Sequence, residues 1–352
     1  MKKSILLIAF ALLGVSAYSQ KIDKNELAQL KTFLNQTNEK GHTNAHDLKI
    51  TDMNAPSMWH GVKVIDGHVV EIDWRGKDLT GDLSLTNFKY LTTVNVSRNN
   101  ISKLMLNGCT ALLQLNASHN KLTQIDLAGC RSLEHLAINN NRLTDFEISE
   151  VPSLKYLDCS HNFIVDLDVR NSTSLQSLYC LRCRLDNLYV AGCTNLKVLI
   201  CGYNQLTSLN LLGVDNLQYI NVDDNQFTTM IVQGLPSLYA FSCMNNKLTS
   251  LAMRDCRGLL DLYCSNNDLT TLSVVDCPKL SYVDCSFNDL TDLDLSNQYL
   301  LERLICNNNS LMTLNVSFDQ QLTFINCRYN MLTDIITQAC PNLKMVASEW
   351  NY

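Results

Sequence analysis

Residues 259–279 read LLDLYCSNNDLTTLSVVDCPK, and residues 280–300 read LSYVDCSFNDLTDLDLSNQYL. Laid one under the other, they share Leu, Cys, Asn, Leu-Thr and Leu at the same places. The shared pattern is L-x-x-L-x-C-x-x-N-x-L-T-x-L-x-L-x-x-C-x-x. Its first leucine recurs every 21 residues from Leu91 to Leu343, which makes twelve full repeats and a truncated thirteenth, without an insertion. The segment L-x-x-L-x-C alternates apolar and polar residues, the period of a strand with one buried face. One unit cannot bury its own apolar face. Stacked units share a continuous core and one long parallel sheet.

The pattern resembles the leucine-rich repeat, L-x-x-L-x-L-x-x-N/C-x-L on a period of about 20–29 residues. The expected fold is therefore a β-rich α/β chain, a single leucine-rich repeat solenoid with a parallel sheet on its concave side. A coil of 21 residues leaves little room for a helix on the convex side. There the alternating LTxLxL predicts short extended or 3-10 segments. The Asn at the ninth place is expected to hold the turn after the strand and to stack as a ladder. It is missing once, at Cys183.

That register decides the meaning of Cys180-x-x-Cys183, a spacing otherwise known from redox motifs and half zinc sites. Eight cysteines fall at the sixth place: Cys159, Cys180, Cys201, Cys243, Cys264, Cys285, Cys306 and Cys327. Six fall at the nineteenth: Cys109, Cys130, Cys193, Cys256, Cys277 and Cys340. Cys183 completes the 15. Other units put Val96, Ala117, Ile138 and Val222 at the sixth place, so that place is apolar and inward, and free Cys there acts as a small hydrophobe. The rival reading is a disulfide framework, because the chain carries an export signal. The cysteine ladder on this period resembles the internalin J-type group of bacterial leucine-rich repeat proteins over residues 91–352. The resemblance implies a right-handed curved solenoid used in adhesion or partner binding.

The first 20 residues, MKKSILLIAFALLGVSAYSQ, have a basic start, an apolar stretch and a small-residue site. They are read as a signal peptide cut near Ala17 to Gln20. No cysteine precedes Cys109, so no lipoprotein is expected, and no run reaches the roughly 18 apolar residues of a membrane span. The formal net charge is -6, or -8 without Lys2 and Lys3. An acidic chain without basic clusters argues against nucleic acid and anionic membranes as partners. The expectation is an exported protein: secreted, periplasmic or surface-associated.

Residues 21–90 are read as an N-terminal cap and an atypical first repeat. Asp23 with Glu26 has the form of a capping box. Leu27, Leu30, Phe33 and Leu34 mark one helical face, and the helix should end before Gly41. Residues 42–57 read as a polar loop. Val62–Ile65 and Val69–Trp74 read as strands joined by the Asp66-Gly67 turn. Trp59, Gly61, Val62 and the stretch Leu79–Leu83 resemble the cap of plant-type leucine-rich repeat receptors, although the cysteine pair usual there is absent. The cap is expected to cover the open end of the stack, with Trp59 in its core.

Function is sought at the outward places of the sheet: 2, 3, 5, 7 and 8. The third place carries Tyr156, Tyr219, Tyr282 and Phe324, and the fifth Tyr179 and Tyr263. The eighth carries Arg98, His119, His161, Arg182, Tyr203, Phe287, Tyr329 and Trp350. Tyr, Trp and Arg are enriched at binding hot spots. Two candidate patches follow: Tyr156, His161, Tyr179, Arg182 and Tyr203; then Tyr263, Tyr282, Asp284, Phe287, Phe324 and Tyr329. Tyr219 lies between them. The expected partner is a protein, peptide or glycan.

Neither cofactor nor metal is expected. His119 and His161 share a row two units apart, about 10 Å, too far for joint ligation at about 2 Å. The pair Asp223 and Asp224 is read as solvated rather than calcium-binding. No catalytic dyad or triad emerges, so an enzyme is not expected. The alternative is a thiol-rich redox or metal-storage protein.

Overall fold

The computed structural model describes residues 22–352 apart from 171, 296 and 297, so the leader expected over residues 1–20 lies outside the described residues. Thirteen three-residue strands, from Thr93–Asn95 to Met345–Ala347, occupy places 3 to 5 of successive units. With the hairpin Val62–Ile65 and His68–Asp73 they form one 15-stranded sheet. Each solenoid rung pairs in parallel with the residue 21 places on, as in Tyr282↔Arg303 and Val283↔Leu304. The hairpin joins this stack with a different offset: Ile72 pairs with Val94. The hairpin turn itself has positive φ at both Asp66 and Gly67, the geometry that suits the twist of flanking strands.

The opposite side is extended, not helical. Places 13 to 15 form four small parallel sheets, for example Thr229–Gln233, Ser250–Arg254 and Thr271–Val275. Of the two alternatives read from the sequence, the extended one holds. The single 3-10 helix among the described residues, Pro56–Met58, belongs to the cap. Between the two sets of strands lies the core. In the quoted unit Leu259, Leu262, Cys264, Leu269, Leu272 and Cys277 are all buried.

The thiols are ladder residues. All fifteen cysteines are free, and only Cys340 is not fully buried. At four of the sixth places the sulfur lies 3.5–3.7 Å from a carbonyl of the next turn, as from Cys159 to Tyr179 and from Cys180 to Ile200. At five of the six nineteenth places it reaches back to the turn before, as from Cys193 to Val169 at 2.9 Å and from Cys340 to Val316 at 2.9 Å. S–H is a weak donor, so these contacts orient buried side chains more than they bind the turns together.

The Asn ladder ties turns together more strongly. The Asn267 amide donates to the carbonyls of Cys243 and Cys264 at 3.0 and 3.1 Å, and its oxygen accepts the Leu248 amide at 3.0 Å. One side chain thus satisfies buried backbone groups on two turns, where unpaired ones would be costly. At Cys183 the sulfur reaches the Cys159 carbonyl at 3.2 Å. It has no oxygen to offer the Ile164 amide, which stands where Leu143 and Leu206 meet Asn162 and Asn225.

The cap differs from its sequence reading in two respects. The helix runs Lys24–Leu34, and Asp23 accepts from the amides of Asn25 and Glu26. Glu26, however, does not return to Asp23. Its carboxylate takes the Val69 amide at 2.8 Å and faces His68 Nδ1 at 3.0 Å, while the Asp23 amide donates to Gly67. The box is half-formed because the hairpin turn supplies better partners to both residues. Residues 42–57 are not simply loop: they hold the short helix Asn44–Asp47 and the 3-10 turn. Trp59 is buried and donates to the Asp52 carbonyl at 2.8 Å. Phe33 stacks on Trp74 over the end of the core.

The cap also closes a sheet edge. Strand Thr80–Ser84 is the first of its small sheet. Gln36 and Asn44 each pair both ways with its backbone: Asp82 amide to Gln36 at 2.7 Å and back at 2.7 Å, Thr80 amide to Asn44 at 2.9 Å and back at 2.9 Å. Side-chain amides here replace a neighbouring strand, one way to blunt an edge. Gly81 has φ +84°, and a Cβ there would lie 1.7 Å from Gln36 Oε1. The close approach requires glycine.

Candidate functional site

Places 3 and 5 project from the exposed face of the long sheet, half-buried by their neighbours, and place 4 points into the core. The structure brings several of the expected residues together. The Tyr156 and Tyr179 rings lie 5.4 Å apart, and Arg182 sits 4.2 Å over Tyr203. His161 precedes Arg182 by one turn in the same exposed row. In the second patch Tyr263 and Tyr282 lie 5.1 Å apart, and Tyr329 stacks on Trp350 at 5.7 Å. Tyr219 stacks on Tyr239.

Three partners were missed. His135 stacks on Tyr156 at 4.1 Å, so it extends the first patch. Arg303 lies 5.0 Å over Phe324 and 6.0 Å from Tyr282, bridging the second. Tyr239 stands at the second place, an outward place from which no candidate is named above. The signal for the first two was available, since His135 and Tyr156, then Tyr282, Arg303 and Phe324, are consecutive members of the third row.

Packing changes the chemistry of these groups. Burial pushes the Tyr156 hydroxyl up to about 12, with the Asp158 carboxylate adding to it. Burial raises Tyr263 and Tyr282 as well, and lowers His135. These shifts favour the uncharged forms of the three tyrosines and of His135. Asp284 is less available than expected. Its Oδ1 accepts the Ser286 amide at 3.0 Å and the Ser286 hydroxyl at 2.6 Å.

That bond reflects a general correction. The seventh place is mostly not outward: Ser97, Ser118, Ser160, Ser265 and Ser286 are buried, whereas Glu349 in the last unit is exposed. Each serine lies just past the strand and turns back against it. Asp223 occupies the same place, so it is not a solvated partner of Asp224. It is buried, accepting from Ser242 Oγ at 2.6 Å, the Met244 amide at 2.7 Å and Asn221 Nδ2 at 2.6 Å. Burial raises its pKa against those bonds.

The eighth place is the rim, and its backbone is unusual. All thirteen residues there, from Arg98 to Trp350, have φ between +52° and +65°. The left-handed region suits Asn, Asp and His, and costs other side chains about 1 kcal/mol or more. Asn140, Asp224, Asn245, Asn266 and Asn308 fit it. Tyr203, Phe287, Tyr329 and Trp350 do not, and they are 46%, 52%, 50% and 71% exposed. Neither backbone preference nor burial accounts for large aromatic side chains at these positions.

No family model matches the sequence, and no curated protein matches it. Solved structures do. The functional domain of InlJ from Listeria monocytogenes, described as including a cysteine ladder, is 26% identical, with 74% of this chain and 68% of that one covered and a TM-score of 0.51. This chain folds as a leucine-rich repeat solenoid. A leucine-rich repeat protein of Leptospira interrogans is 21% identical over 73% of this chain and 86% of its own, with a TM-score of 0.50. The leucine-rich repeat domain of APL1B is 21% identical over 63% of this chain and 70% of its own, with a TM-score of 0.54. The solenoid's cysteine ladder is the feature it shares by name with the internalin. Among the described residues no helix is long and apolar enough to cross a membrane.

Proposed function

We propose that this solenoid is an exported, non-enzymatic binding module that holds a protein or peptide segment across the exposed face of its long sheet and its rim. One observation carries the reading: Tyr203, Phe287, Tyr329 and Trp350 are exposed in a backbone conformation that disfavours them. Side chains kept at a local cost point to a function that needs them. The stacked pairs beside them are already ordered, so less side-chain entropy is lost on binding. Aromatic rings and the cations Arg182 and Arg303 are the anchor types of protein interfaces. Likeness to an internalin domain supports adhesion or host interaction as the setting.

A screen of the purified chain against protein and glycan arrays identifies the ligand class. Capture is then repeated with the Tyr156→Ala/Tyr179→Ala/Tyr203→Ala triple variant. Loss of capture by the folded triple variant supports the first patch, and undiminished capture removes it. Capture of glycans alone overturns the protein-ligand reading. A thiol-based redox or storage role gains no support from the buried, mostly high-pKa sulfurs.

A further inference from the structure

The N-terminal cap contains a group of side chains that the binding face does not use. His42, His46 and Asp47 place one ligating atom each within 4.8 Å of one another. His42 Nδ1 lies 3.4 Å from Asp47 Oδ1, and His46 Nδ1 lies 3.1 Å from the same oxygen. The two imidazole rings are 4.2 Å apart. We propose that His42, His46 and Asp47 bind a divalent transition-metal ion, zinc by preference, with at least one coordination position open to solvent.

The distances carry the proposal. A tetrahedral ion with ligands at about 2.0–2.1 Å sets neighbouring ligand atoms about 3.3 Å apart. The two Nδ1···Oδ1 separations are 3.4 and 3.1 Å, so each imidazole nitrogen already stands at such a distance from the shared oxygen, and all three atoms lie within 4.8 Å of one another. Two imidazoles and one carboxylate are a donor set for zinc or another borderline divalent ion, and they leave room for water or an incoming group.

The support around the site is built in. Asn38 Nδ2 donates to Asp47 Oδ2 at 2.8 Å, which fixes the carboxylate and leaves Oδ1 facing the histidines. Asn38 Oδ1 accepts the amides of Lys40 and His42 at 3.0 and 3.1 Å, and the Asn38 amide donates to the His42 carbonyl at 2.9 Å. Gly41, at φ +81°, closes this tight loop. Hydrogen bonds that orient ligands in this way commonly affect metal affinity 10- to 100-fold. Lys40 pairs with Asp78 at 2.5 Å rather than with the Asp47 carboxylate. The imidazoles are half-exposed, so an ion can enter without opening the fold.

Zinc and cobalt titrations of the full chain test the proposal, with calorimetry for zinc and absorption for cobalt. Saturable uptake of one zinc ion per chain at micromolar zinc is expected. His46→Gln, an exposed change that leaves the fold intact, should weaken it at least tenfold. Asn38→Ala should weaken it about tenfold while all three ligands remain. Cobalt should give weak visible bands without the intense near-ultraviolet absorption of a thiolate ligand. No saturable uptake, uptake unchanged in a His42→Gln/His46→Gln double variant, or a thiolate band would each overturn the site.

Discussion

Replacing Cys183 by Asn tests the ladder where it is broken. An Asn there would meet three backbone groups in the pattern of Asn267: the carbonyls of Cys159 and Cys180, and the amide of Ile164. The present thiol reaches the first of these at 3.2 Å and lies 3.7 Å from the Leu181 carbonyl. The change therefore adds two buried hydrogen bonds and strengthens a third. At about 1 kcal/mol net per bond, and after the cost of fitting a slightly larger side chain, the expected gain is about 1–2 kcal/mol. The reverse change, Asn267→Ala, removes three bonds of 3.0–3.1 Å and leaves the Leu248 amide without its partner. Its expected cost is about 3 kcal/mol. Urea unfolding followed by circular dichroism reads both as opposite shifts of the midpoint at constant slope. If Cys183→Asn lowers stability, or Asn267→Ala changes it by less than about 1 kcal/mol, the side-chain ladder is not what joins the turns.

Other outcomes follow from the buried groups. Burial pushes the Cys201 and Cys285 thiols up to about 12 and the Cys130 thiol to about 11. A thiol-specific reagent at neutral pH should therefore label the native chain slowly, with half-buried Cys340 first, and all 15 cysteines once it is unfolded. Fast native labelling of most thiols would rule out the buried ladder. Asp319 stands at the nineteenth place where six units have Cys, is 1% exposed, and has an unpartnered Oδ1. Burial raises its pKa from 3.8 to about 6. A carboxyl raised on folding costs nothing when protonated below about pH 4 and imposes its full cost above about pH 6, so its contribution falls as pH rises between them. Asp319→Cys should stabilise the fold by up to about 3 kcal/mol at pH 7 and by little at pH 4. Equal effects of this change at both pH values would show that charge burial is not the cause.

Much of the fold was legible because one spacing repeats. Each Leu, Cys and Asn of the unit had a fixed place, and the rungs pair at that spacing. The cap was legible only in outline. Asp23 and Glu26 satisfy the local pattern of a capping box, but the Gly67 carbonyl and Val69 amide, far along the chain, outcompete it. Alternation suggested that the seventh place points outward, yet the strand ends at the fifth, and alternation stops with it. Left-handed φ at the eighth place leaves little sequence signal where the side chain is Tyr or Phe. The aromatic rows could be read off by register, and so could Arg303 between Tyr282 and Phe324 in the third row, while the ring contacts of its guanidinium are a matter of side-chain packing that register does not give. His42, His46 and Asp47 escaped notice because the stretch reads as a polar loop, whereas His46 and Asp47 lie on a one-turn helix and the tight turn at Gly41 brings His42 to them.

The decisive measurement is made on a Tyr203→Asn/Phe287→Asn/Tyr329→Asn variant, with stability and ligand affinity determined on the same sample. Asn fits the left-handed backbone that these aromatics strain, so the variant should unfold at a higher urea concentration, by about 1 kcal/mol per site. It should also lose at least tenfold in affinity for the ligand captured by the wild-type chain, the loss of one strong aromatic anchor or more. A variant that gains stability and binds as before would show that the rim aromatics are not the binding surface.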